Sequence, residues 1–187
     1  KIDINYGFTL FELIVTIAIV GLLAAITLPN MRVFIQNARV SSQANDFLAD
    51  LNFARSEASK RGSSIVACPS SNSDATAPSC DAGGTQWEKG WIIFSDLDGD
   101  KVRDTDEQVV RAHSVLEGGN TLRHNQTWNT LTYSPSGTIS PAPSAGTRVI
   151  FSVCDERGAG MARGVTIEAT GRAASVKNTS STSLTCP

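Results

Sequence analysis

From Leu13 to Pro29 the chain carries no Asp, Glu, Lys or Arg. The apolar run begins earlier, at Phe8, and reaches Leu28, so a whole segment holds one charge, Glu12. As a helix it is about 31 Å long at 1.5 Å per residue, close to the ~30 Å hydrocarbon core of a bilayer. Three readings compete. A secretory signal has a shorter apolar core followed by a small-residue cleavage site. A plain membrane anchor has no use for Glu12, because an acid costs about 2.5 to 3.5 kcal/mol at the centre of a membrane helix and less near its end. The third is a helix that starts in a membrane and later packs against copies of itself or its relatives. An intramembrane carboxylate needs a partner. A cut after Gly7 makes Phe8 a positive N-terminus one helical turn from Glu12.

Pro29 lacks a backbone donor and is expected to bend or loosen the helix. Beyond it the pattern turns amphipathic. Val33, Asn37, Val40, Ala44, Phe47, Leu51, Ala54 and Ala58 recur at steps of four and three, which predicts one helical stripe. Arg39, Asp46, Asp50, Arg55, Glu57 and Lys60 lie off it. Gly62 is a suitable C-terminal cap. One helix from Phe8 to Arg61, about 80 Å long, is expected, its first half without a partner in its own chain. The rest reads as short β-type runs broken by Gly, Pro, Ser and Asn: residues 63–68, 90–95, 108–113, 130–134, 147–154 and 164–170, with 172–176 closing a hairpin. Residues 140–146, SPAPSAG, read as an exposed loop.

The chain has 187 residues and a formal net charge of −2, which suits one domain with an appendage and argues against bulk nucleic-acid binding by charge alone. The four cysteines, Cys68, Cys80, Cys154 and Cys186, form no CxxC, and only His113 and His124 could join them. A zinc site is therefore not expected. Of three pairings, Cys68–Cys80 and Cys154–Cys186 are favoured, each within one half of the chain. Such closures are worth roughly 3 to 4 kcal/mol apiece and imply an oxidising compartment. Four reduced core thiols are the alternative.

The stretch GFTLFEL resembles the class III signal of type IV pilins and pseudopilins. In that family a peptidase cuts after the glycine and methylates the new terminal Phe. The resemblance assigns leader cleavage and methylation to Gly7 and Phe8, the subunit-assembly salt bridge to Glu12, and the helix kink to Pro29. Residues 1–7 become the leader, 8–62 the long helix with 8–28 as membrane span and filament core, and 63–187 the β domain. The chain starts without Met, so it is expected to begin just inside the true terminus.

The layout further resembles the GspH/FimT branch of the pilin superfamily. That branch includes FimT- and FimU-type minor pilins and the minor pseudopilin of type II secretion. NDFLADLNFARSEASKRGSSIVACPS is similar to its helix-to-strand junction, WEKGWIIFSDLDGDKVRDTDEQVVR to its acidic-tipped hairpin, and FSVCDERG with GVTIEATGRAASV to its closing strands. The implied fold is α+β, a long N-terminal helix packed against an antiparallel β domain. The implied function is a minor pilin that helps prime pilus assembly and sits at or near the tip. Its partners are other pilins, prepilin peptidase and the inner membrane, with the C-terminal domain periplasmic before assembly into an extracellular pilus. A DNA-binding pilin for natural transformation, a pseudopilin of type II secretion and a major pilin are the alternatives.

Two clusters stand apart from assembly. Asp96, Asp98, Asp100, Asp104 and Glu107 fall at positions 1, 3, 5, 9 and 12 of an EF-hand loop, which makes Ca²⁺ the one candidate cofactor. Lys101 stands where that loop needs Gly, and a strand precedes it, so a solvated turn is the competing reading. Some FimT-type pilins bind DNA through a C-terminal Gly-Arg-x-Arg motif. Here Gly171 and Arg172 match it and Ala174 replaces the second arginine. Arg148, Arg163, Arg172 and Lys177 are the candidate DNA-binding set. No nucleophile elbow, metal motif or phosphate loop is present. The chain is expected to be no enzyme, with no small-molecule substrate, and both histidines are expected to be structural.

Overall fold

The computed structural model describes residues 8–144, 146–179 and 182–187, with the side chains of Ile26, Leu28, Pro29 and Asn30 outside that set. The leader 1–7, and Gly7 with it, lies outside the described residues. Helix α1 runs from Leu10 to Arg61. The Gly62 N–H closes it on the Ala58 carbonyl at 3.0 Å, and Gly62 has the left-handed φ of +66° that a C-terminal cap requires. The helix is assigned through position 29, but the expected bend at Pro29 falls among side chains not described.

Two compact units divide the chain between Ala38 and Arg39. In the first unit apolar side chains lie open. Phe8, Leu10, Phe11, Leu22 and Phe34 are 67–78 % exposed. Among the described residues no helix is long and apolar enough to cross a membrane; the expected span 8–28 includes Ile26 and Leu28, whose side chains are not described.

Among the described residues of the second unit nine strands form two antiparallel sheets. They are β1 (Ser64–Pro69), β2 (Trp91–Asp96), β3 (Val109–His113), β4 (Thr121–His124), β5 (Leu131–Tyr133), β6 (Ile139–Ser140), β7 (Val149–Cys154), β8 (Arg163–Ile167) and β9 (Ala173–Lys177). The first sheet is ordered β3-β2-β1-β5-β6 and the second β4-β7-β8-β9. Seven strands match the runs expected from sequence, including the β8–β9 hairpin. β4 and β6 were not anticipated. β4 is four residues with two polar ends, and β6 is two residues at the edge of the SPAPSAG loop, so neither has enough alternation to signal a strand.

The helical stripe holds from Val40 onward: Val40, Ala44, Phe47, Leu51, Ala54 and Ala58 are at most 1 % exposed. Val33, in the first unit, is 47 % exposed. Phe47 is the keystone of the core. Its ring meets Trp87, Trp91 and Phe151 at 5.6, 5.1 and 4.7 Å between centroids, so one helical residue ties α1 to both sheets. All six residues of β2 are buried, a pattern that requires cover on both faces of its sheet. The inner face packs on α1, while Val66, Cys68, Ile92 and Phe94 form a second cluster with Cys80. The second sheet repeats the device: Cys154, Ala162 and Leu184 cluster with Ile150, Val176 and Cys186. Both expected disulfides, Cys68–Cys80 and Cys154–Cys186, are present. Each fastens a loop or tail over the outer face of one sheet.

The charges expected to lie off the stripe are not all in solvent. Asp50 and Glu57 are 6 % and 7 % exposed. Glu57 accepts from Arg61 Nε at 2.7 Å. Asp50 accepts from the buried Trp91 Nε1 at 2.9 Å and from Arg111 Nη1 at 2.6 Å. Sequence periodicity places these residues beside the apolar stripe; tertiary packing supplies the partners that let them be buried.

Candidate functional site

At the helix start the lone carboxylate has a local partner. Glu12 N donates to Thr9 Oγ1 at 3.2 Å, while Glu12 Oε2 accepts from Thr9 N and Thr9 Oγ1 at 3.0 and 2.9 Å. This is a reciprocal capping box, in which a Thr and the Glu three residues on satisfy two otherwise orphaned donors. The signature Thr-x-x-Glu is itself legible in the sequence. Both carboxylate bonds fall on Oε2, so among the described residues Oε1 stays open toward a further cation. Phe8, the expected new terminus, stands immediately before Thr9.

The acidic loop between β2 and β3 closes on itself. Asp96 Oδ1 accepts from Gly99 N at 2.8 Å, Asp98 Oδ1 from Asp100 N at 3.2 Å, and Asp100 Oδ1 from Val102 N at 2.7 Å. Glu107 takes Leu97 N on one oxygen at 2.7 Å and Asp104 N on the other at 3.1 Å. Two overlapping sets, Asp96 with Asp98 and Glu107, and Asp98 with Asp100 and Asp104, bring oxygens within 4.8 Å. Lys101 adopts φ +65°, the only positive φ on a non-glycine among the described residues, and so supplies the backbone that an EF-hand takes from Gly. The twelfth position departs from an EF-hand. There Glu must give both oxygens to the ion, and here both are bonded to backbone. Asp104 is pushed above the usual carboxylate range by local desolvation and by the charges of Asp100, Asp98, Glu107 and Asp106.

The four candidate DNA contacts do not gather. Arg148, just before β7, lies 3.9 Å from Glu168. Arg172 sits at the β8–β9 turn. Arg163 and Lys177 face each other at the far end of that hairpin, five residues or about 17 Å along the strand from Arg172. A single phosphate-tracking face needs these cations together.

The two histidines are packed in aromatic surroundings. His113 stacks on Trp91 at 3.9 Å between ring centroids, and His124 stacks on Trp128 at 4.7 Å with Phe151 at 5.0 Å. Burial, helped by the Arg123 charge, lowers the His124 pKa to about 4.

An apolar helical arm with a capped start, continued into a helix sheathed by a disulfide-braced β domain, defines a pilin-type subunit. The prokaryotic N-terminal methylation motif matches residues 4–28, and the family model described as type II transport protein GspH matches residues 43–171. The chain belongs to the GspH family, within the GspH/FimT branch of the type IV pilin superfamily. No curated protein matches it. Its fold is similar to two crystal structures of the type IV minor pilin FimU of Pseudomonas aeruginosa strain PAO1. Each is 22 % identical; they cover 81 % and 77 % of this chain and 96 % of the FimU chain, with TM-scores of 0.57 and 0.55.

Proposed function

We propose that the chain is a minor pilin of a type IV pilus, a structural subunit that helps prime assembly and sits at or near the tip. It is anchored in the inner membrane by residues 8–28, cut after Gly7 by prepilin peptidase, and methylated at Phe8. It then enters a helical bundle of neighbouring pilins, with Glu12 Oε1 meeting a terminal amine. One observation carries the reading: a methylation motif heads a helix whose first part exposes most of its described apolar side chains, joined to a GspH-family domain. For an arm that starts in lipid, close packing between helices and the charge pair supply the driving force. No catalytic step is assigned to any residue.

The test compares Glu12→Gln with Glu12→Ala in sheared filaments. Gln retains the capping box, which accepts either residue at that position, but lacks the charge. Breaking a buried pair costs about 3 to 5 kcal/mol. Both variants are therefore expected in the membrane fraction and depleted from filaments by at least about tenfold. Wild-type recovery of Glu12→Gln would refute the charge pairing. A mature chain in filaments still carrying residues 1–7 would refute processing.

A pseudopilin of type II secretion is the second reading, favoured by the description of the matching family. Deletion that abolishes secretion and spares twitching selects it. The DNA-uptake reading requires a salt-dependent gel shift, and a major pilin requires high abundance in purified filaments.

A further inference from the structure

Arg163 on β8 and Lys177 on β9 are directly opposed in the antiparallel ladder. The register shows which kind of pair they form. Glu168 N bonds to Arg172 O at the turn, so hydrogen-bonded pairs alternate from there: Glu168 with Arg172, Thr166 with Ala174, Gly164 with Val176. Arg163 and Lys177 are a non-hydrogen-bonded pair, the closer kind, with side chains on one face. Like charges directly opposed in a sheet are destabilising. Neither takes part in an ion pair among the described residues. Among the described residues the Arg163 guanidinium donates to the adjacent Ala162 carbonyl at 3.2 Å.

The two cations line one cleft of about 220 Å³ with Ser41 and Asn45 of α1 and Ser175 of β9. No carboxylate lines it. β9 is also the terminal strand of its sheet. By the same alternation, the backbone N–H and C=O groups of Ala173, Ser175 and Lys177 point away from β8 toward the open edge. An unpaired edge is a template for another chain. Ser41 lies three residues inside the unit that begins after Ala38.

We propose that this cleft receives an acidic, extended segment of a neighbouring subunit. The segment lies along β9, with an Asp or Glu carboxylate between Arg163 and Lys177 and backbone bonds to the free edge. The carboxylate resolves the cation pair, and the hydroxyl and amide groups of Ser41, Asn45 and Ser175 supply neutral donors around it. The inference rests on the assembly reading above for the source of the segment. A polypeptide is favoured over a nucleic-acid backbone because the unpaired strand edge has a use only for another peptide chain.

The test places a photo-crosslinking amino acid at Ser175 of the full chain in filament-producing cells and identifies the captured peptide by mass spectrometry. The expected product is a pilin-family segment containing Asp or Glu. Its yield should fall about tenfold in Arg163→Glu with Lys177→Glu, and much less in Arg163→Lys. Melting temperature and the Cys154–Cys186 bond report whether the variants fold. Capture of a segment without acidic residues, of nucleic acid, or of nothing overturns the proposal, as does a yield unchanged by the charge reversal. The filament fraction of the chain is read separately. Absence from filaments refutes the assembly role, while presence there without an acidic capture refutes this site alone.

Discussion

Asp50→Ala removes an acceptor that two donors share. The side chain of Asp50 is 8 % exposed, and Trp91, which donates to it, is fully buried. With the carboxylate gone, the indole N–H has no acceptor, a loss of about 1 to 3 kcal/mol. Arg111 is 41 % exposed and can turn to water, so its lost ion pair adds no more than about 1 kcal/mol. Its guanidinium also lies 4.2 Å over the Phe53 ring, a contact that survives the substitution. The total is about 1 to 4 kcal/mol, or roughly 2 to 16 °C for a domain of this size. Asp50→Asn keeps an oxygen for the indole and should lose only about 1 kcal/mol. In Trp91→Phe the orphaned donor is absent, so Asp50→Ala on that background should cost less than on wild type. The assay is urea and thermal unfolding of the disulfide-intact chain in detergent, read as a double-mutant cycle. If Asp50→Ala lies within about 0.5 kcal/mol of wild type, or if Asn is as harmful as Ala, the bond to Trp91 is not what holds α1 to β2.

Acid should destabilise the β domain through His124. The unfolded ring titrates near 6.5 and the folded one near 4, so the unfolded chain binds the extra proton first, and stability falls as pH drops from about 6.5 to about 4. The full shift corresponds to about 3.4 kcal/mol, which partial exposure of the ring discounts to about 2 kcal/mol. His124→Phe should remove this component from a plot of melting temperature against pH; an unchanged slope refutes it. Gly171→Ala should cost more than about 2 kcal/mol, because Gly171 has φ +76° and an added Cβ meets the Gly137 carbonyl. Gly99→Ala, at φ +86° in open space, should incur only the ~1 kcal/mol of backbone strain. Equal losses at the two sites would remove the steric argument. Self-closure of the acidic loop predicts no rise in melting temperature with millimolar Ca²⁺, and a small rise in Asp104→Asn that salt diminishes. A calcium-dependent rise shows instead that Glu107 exchanges its backbone bonds for the ion.

Local chemistry alone determined much of this molecule. The charge-free apolar run is read as a helix, and α1 contains it. The Val40–Ala58 spacing names the face that packs, Gly62 ends the helix, and turn residues separate seven of the nine strands. The cysteine pairing and the acidic loop's position were legible as well, because they depend on neighbours close in sequence. What periodicity cannot see is who stands opposite. Asp50 reads as a solvent charge until β2 and β3 bring Trp91 and Arg111 to it across 41 and 61 residues. Arg163 and Lys177 read as two members of a scattered basic set until the hairpin register opposes them and separates them from Arg148 and Arg172. β4 and β6 take their strand character from the neighbours they pair with. Pairing across a sheet is a long-range choice among many similar strands, decided by the total burial of both faces. Only the assembled domain supplies that total.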